Sequence, residues 1–193
     1  MKIKIITGSH RADSASKAVG KHLAEKLNKQ GVDASVTCLF DNDFPLWNVD
    51  KYSDTEKWAG WNEFSKELAE CEGIIFVAPE YNGMVPAIMN NLFLLTDKGE
   101  LAHKAGLIVG VSASINGVYP VSELRSYSLK NTKINYIPDH LIIRDVNDFL
   151  ENGNDYMNDR IDYTLNVFKE YTKALTTVRN SGVTATDKYA YGQ

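Results

Sequence analysis

Several things are scarce in this sequence. Only two cysteines occur in 193 residues, too few for a disulfide framework, and Cys38 and Cys71 do not stand at metal-ligand spacing. Each suits a small buried apolar position. The four histidines, His10, His22, His103 and His140, are scattered, and no pair has the spacing of a zinc site. No apolar run approaches the ~20 residues of a membrane-crossing helix. The opening residues, MKIKIITG, alternate lysine with aliphatic residues as a strand does. They lack the long apolar core of a signal peptide, so the expected location is the cytoplasm. Positive charge is not in surplus either. A formal net charge of -4 argues against a nucleic-acid partner, whose footprint is a basic surface.

Glycine is scarce where it would be most telling. The turn after the first strand reads TGSHRADS and holds a single glycine, Gly8. That excludes the dinucleotide fingerprint G-x-G-x-x-G and the nucleoside-triphosphate loop G-x-x-x-x-G-K-[ST] at this place.

What is present is an alternation of strand and helix. Strand patterns fall at Lys2–Thr7, 34–40, 74–78, 106–112 and 134–143. Helical spacing runs over 15–28, stopped by Gly31, then over 55–71 with Asp54 as N-cap, 87–95, 121–129 and 155–178. The unbroken apolar run 74–78 suits a central parallel strand covered on both faces. The stripe Trp58, Trp61, Phe64 and Leu68 reads as core or interface. Phe44 and Trp47 sit on a long loop that could border an acceptor site. The pattern is α/β: a doubly wound parallel sheet with helices on both faces, Rossmann-like or flavodoxin-like. We expect one domain over 1–179 and a polar C-terminal tail over 180–193. In such sheets ligands bind beyond the carboxyl ends of the strands. Three loops leave those ends: TGSHRADS, APEYNG and SASING.

The first loop is rich in donors. Thr7, Ser9, Ser14 and Ser16 bring hydroxyls, Arg11 a planar fork of N–H groups, and the next helix its positive end. Together they suit a terminal phosphate monoester. The same residues have a plainer use, with Ser14 capping the helix and Arg11 in solvent. Pro79, Glu80, Tyr81, Asn82 and Gly83 suit a clasp for a flat heterocycle, or simply a β–α turn. Ser112 to Tyr119 is small and polar and fits a second wall or an ordinary turn.

With G-S-x-R-x-x-S at residues 8–14 and P-E-Y-N-G at 79–83, the chain resembles the NADPH-dependent FMN reductase family. This group includes azoreductases, quinone reductases and chromate-reducing flavoproteins. The resemblance runs to about residue 178 and includes the L-R pair of ELRSYSLKNTKINYIPDHLII. It implies a flavodoxin-like five-stranded parallel sheet of order 2-1-3-4-5, bound FMN, NADPH or NADH as co-substrate, and a homodimer or homotetramer. Carried over by position, the phosphate-binding residues are Ser9, Arg11, Ser14 and Ser16, the last commonly Asn in relatives, with Lys17 adding charge. Pro79, Glu80, Tyr81, Asn82 and Gly83 fall on the isoalloxazine loop, where the Glu80 carboxylate could bridge subunits rather than touch flavin. Ser112, Ser114 and Gly117 fall on the loop bordering the ring.

The implied activity is hydride transfer from reduced nicotinamide to FMN, and then to a quinone, azo, flavin or metal-ion acceptor. It calls for no side-chain acid or base. The alternative is a flavodoxin-like FMN electron carrier that does not oxidise NAD(P)H directly. Against it, Arg11 stands where carriers have a T/S-x-T-G-x-T-like loop. After P-E-Y-N-G the text departs from the family: Met84, Asn90, Leu94 and Leu95 replace a small polar residue, Lys, Asp and Trp, while Asn91 keeps the usual Asn. These changes imply altered helix packing, a more apolar subunit interface, or a changed nicotinamide or acceptor pocket.

Overall fold

The computed structural model describes residues 1–97 and 99–184; most of the expected tail, 185–193, lies outside the described residues. The strands are β1 (Lys2–Thr7), β2 (Asp33–Cys38), β3 (Gly73–Pro79), β4 (Ala105–Val111), β5 (Asn135–Tyr136) and β6 (Leu141–Ile143). The helices are α1 (Ala15–Lys29), α2 (Ala59–Glu70), α3 (Ala87–Leu95), α4 (Tyr119–Tyr127), α5 (Val146–Asn152) and α6 (Asp155–Asn180). The sheet order is β2-β1-β3-β4-β5, with β6 also paired to β4, and every pairing between strands is parallel. This is the flavodoxin-like fold.

Period-2 alternation along the central strands builds two cores. Ile3 and Ile5 of β1, Ile75 and Val77 of β3, and Leu107 and Val109 of β4 pack with Leu23 of α1 and Ile161, Leu165 and Phe168 of α6. Ile6, Phe76 and Ile108 pack on the other face with Trp61, Phe64, Leu92 and Leu124 of α2, α3 and α4. Both faces are covered, so β3 and β4 are buried at every residue. The tryptophan stripe belongs to this second core. Both cysteines are buried and free.

Three elements differ from the sequence expectation. Helix α2 begins at Ala59, and Asp54 caps the turn before it by accepting the Lys57 N–H at 3.0 Å. The fifth strand is interrupted. β5 pairs with the start of β4 and β6 with its end, and Pro138, which has no N–H for a ladder, lies between them. There the Arg125 guanidinium of the L-R pair donates to the carbonyls of Ile137, Pro138 and Asp139 at 2.7, 3.1 and 3.2 Å. Helix α5 is an addition to the expected elements; its seven residues give only Val146 and Phe149 as a buried pair, too little to show a period.

The register brings three strand ends together. Thr7 lies beside Val77, and Pro79 beside Val111. The carboxyl ends of β1, β3 and β4 are therefore adjacent, and their three loops emerge side by side.

Candidate functional site

The first loop leaves β1 at Gly8, whose N–H still donates to the Val77 carbonyl at 3.0 Å. It enters α1 at Ser14, which is extended at φ -112 and accepts the Lys17 N–H at 3.2 Å. Ser14 is thus the N-cap. The first N–H groups of α1 have no carbonyl one turn back to receive them and carry the positive end of the helix dipole. Arg11 is exposed, and no carboxylate pairs with it among the described residues. Ser16 is buried, and its hydroxyl makes no hydrogen bond among the described residues. Thr7 Oγ1, at the end of β1, is a buried oxygen without a partner among the described residues. Lys17 is committed elsewhere, its ammonium 2.6 Å from the Asp41 carboxylate.

Ser9 is fully buried. Its hydroxyl accepts the Arg11 N–H at 3.2 Å and lies 2.8 Å from the Tyr81 hydroxyl. Residues 72 positions apart in sequence therefore meet, and the first and second loops become one structure.

The second loop is a tight two-residue turn. Tyr81 and Met84 exchange backbone hydrogen bonds of 3.1 and 2.9 Å. Asn82 at φ 51 and Gly83 at φ 72 form the turn itself. Asn-Gly is the pair that tolerates two successive positive φ values. The N–H groups of Asn82 and Gly83 have no protein partner among the described residues. Met84 beyond them is exposed.

Glu80 belongs to the frame. Its carboxylate accepts the Gly117 N–H at 2.7 Å and the Tyr119 N–H at 3.4 Å, tying the fourth-strand loop to the end of β3. That loop is held elsewhere too. Ser112 Oγ accepts the Ser114 N–H at 3.1 Å. The carbonyls of Ser112 and Ser114 accept the N–H groups of Val146 and Asp145 at 3.1 and 3.0 Å. Gly117 runs at φ 101, and a Cβ on Gly110 would come within 2.2 Å of the Gly117 carbonyl oxygen. The loop lies directly on β4.

Two participants, His10 and Glu123, carry no signal in the sequence, and a third, Asn91, is marked there only as keeping the family's usual residue. His10 stacks beside Tyr81, centroids 6.4 Å apart and planes at 27°, and its Nε2 accepts the Ile88 N–H of α3 at 3.4 Å. It occupies the unspecified position of G-S-x-R. Glu123 accepts the Val85 N–H at 2.6 Å. Asn91 binds the loop after β2, accepting the Trp47 N–H at 2.8 Å and donating to the Pro45 carbonyl at 3.0 Å.

The replaced positions sort by burial. Leu95 is buried in the second core, and Leu94 is exposed. Asn90 accepts the Tyr127 hydroxyl, and both line an open cleft between α3 and α4 with Phe93 and Leu94. Burial and the nearby Glu123 carboxylate push the Tyr127 phenol up. No cluster of metal-ligating residues and no helix long and apolar enough to cross a membrane occurs among the described residues.

The family described as NADPH-dependent FMN reductase matches residues 1–147. A 2-hydroxy-1,4-benzoquinone reductase from a Burkholderia species is 28% identical over 121 residues, 61% of this chain and 63% of that protein. A quinone reductase from Pseudomonas putida is 28% identical over 89 residues, 46% of each chain. The matched stretches thus span less than two thirds of these relatives. Among solved structures, the flavoenzyme NAD(P)H:(acceptor) oxidoreductase FerB from Paracoccus denitrificans superposes with a TM-score of 0.75 at 16% identity, covering 90% of this chain and 97% of that one.

Proposed function

The chain belongs to the NADPH-dependent FMN reductase family, and from that premise we propose that it is an NAD(P)H-dependent FMN oxidoreductase that reduces a small-molecule acceptor such as a quinone. The observation that carries this reading is the junction of the two motifs, Ser9 Oγ to Tyr81 Oη at 2.8 Å. It holds a donor-rich turn and an Asn-Gly turn side by side at adjacent strand ends.

The residues present fit FMN. A phosphate dianion needs donors, and the turn offers an unpaired Arg11, the helix start, and the spare hydroxyl of Ser16. Arg11, Ser16 and the N–H groups beside the Ser14 cap would hold the phosphate. Pro79, Tyr81, Asn82 and Gly83 would border the ring, with Ser112, Ser114 and Gly117 on its other side. The free N–H groups of Asn82 and Gly83 suit a ring edge that gains negative charge. Ser9 and Glu80 would position these groups from behind. FMN, when bound, supplies the two-electron chemistry between nicotinamide and acceptor. The protein binds and orients; no side chain has to move a proton.

The setting we propose is a cytoplasmic homodimer or homotetramer. The exposed Leu94, Tyr127 and Leu129 around the α3–α4 cleft support a subunit contact there. A steady-state screen of FMN-loaded protein tests the function, with NADPH and NADH each paired with quinones, azo dyes, free FMN and chromate. Nucleotide oxidation that depends on one of these acceptors is expected. Flavin binding without nucleotide oxidation would make the protein an electron carrier instead.

A further inference from the structure

We propose that the Tyr81 hydroxyl, on the ring loop, acts as a positioning group for the phosphate turn, with Ser9 as the link between them. The inference rests on the FMN reading above and goes beyond it. It gives Tyr81 and Ser9 a shared role in discriminating FMN from flavins that lack the phosphate.

Burial is the first ground. Ser9 is 0% exposed, so in this conformation its hydroxyl reaches neither solvent nor a ligand. A hydroxyl has one proton and two lone pairs. One lone pair of Ser9 takes the Arg11 N–H at 3.2 Å, and the Tyr81 hydroxyl sits 2.8 Å away. Both bonds are internal, and both bear on where Arg11 stands. The Arg11 backbone hangs on Ser9, and Ser9 hangs on Tyr81.

Tyr81 is itself a firm anchor. Its backbone exchanges two hydrogen bonds with Met84 across a turn set by two positive-φ residues. The His10 ring lies beside the Tyr81 ring while its Nε2 holds the Ile88 N–H of α3. Residues 9 and 10 are therefore tied to the ring loop and to α3 at separate points. Removing the Tyr81 hydroxyl would leave the buried Ser9 oxygen short of a partner and loosen the turn that presents Arg11. A buried polar group left unpaired is costly, so the turn would shift to hydrate it. The consequence appears at the phosphate end of the flavin, away from the ring that Tyr81 borders.

The test compares FMN with riboflavin. Dissociation constants for both are measured by flavin fluorescence for the wild-type chain, Tyr81→Phe, Ser9→Ala and the double variant. Tyr81→Phe keeps the aromatic wall. The expected result is a loss of FMN affinity of about tenfold in each single variant, with riboflavin affinity changed by less than about threefold. The double variant should lose no more than Ser9→Ala alone, because that change already breaks the link Tyr81→Phe removes. Equal losses for FMN and riboflavin, or additive losses in the double variant, would overturn the proposal. A wild-type chain that binds neither flavin would instead overturn the FMN reading, and this inference with it.

Discussion

At the residue scale, type and spacing locate the loops but do not divide the labour within them. The hydroxyls of TGSHRADS look alike in a sequence. Ser14 caps α1, Ser9 is buried against Tyr81, and Ser16 keeps a hydroxyl to spare. All three are buried, so only their hydrogen-bond partners separate these roles, and the partner of Ser9 is residue 81, which no local pattern connects to residue 9. Lys17 shows the same limit: its partner, Asp41, comes from the segment after β2. Glu80 spends its carboxylate on the N–H groups of Gly117 and Tyr119 within its own chain. Arg11 keeps its freedom, and it carries the prediction at this scale. Arg11→Ala should weaken FMN binding by about 1.5–3 kcal/mol, the size of a hydrogen bond to a charged group, and leave riboflavin binding nearly unchanged. Calorimetric titration of the variant with both flavins checks it. Unchanged FMN affinity would remove Arg11 from the site.

At the element scale, long periodic stretches are legible in the sequence and short ones are not. β1, α1, β3, α3, β4 and α6 follow from hydrophobic periods and unbroken apolar runs, with small shifts at their ends. The interruption between β5 and β6 follows from Pro138, and α5 is too short to show a period. Ends are set by partners distant in sequence. The carboxyl end of α2 is an example: the buried Lys104 ammonium donates to the carbonyls of Leu68 and Ala69 at 2.6 and 2.8 Å. A cation there suits the helix dipole. Burial nonetheless draws its pKa down from 10.5 to about 8. Between those two values the folded chain has released a proton that the unfolded chain still holds. Stability from this group is therefore fullest above pH 10.5 and falls as pH drops through about 8. Lys104→Met should flatten that part of the stability profile, read as urea midpoints across the window. A slope equal to the wild type's would contradict it.

At the scale of the whole molecule, a doubly wound sheet places three loops on adjacent strand ends, and function follows from that placement more than from any one residue. The order 2-1-3-4-5 comes from the resemblance; strand–helix alternation alone leaves the Rossmann-like order open. The same packing partly buries three of the histidines. Burial is the leading cause that lowers the pKa of His22, His103 and His140 from 6.5, aided by Lys26, by Lys133 and Arg179, and by Arg125 and Arg160 respectively. The unfolded chain takes up protons that the folded chain resists, so stability is lost as pH falls below about 6.5. Replacing all three with glutamine should reduce the drop in urea midpoint between about pH 7 and pH 5.

The central claim is that this arrangement of loops binds FMN and admits a reduced nicotinamide to it directly. Anaerobic rapid mixing of the FMN-loaded protein with NADPH, and separately with NADH, tests this with no other protein present. The account predicts that the visible absorbance of the bound flavin bleaches with at least one of the two nucleotides. Bound flavin that stays oxidised with both would contradict it.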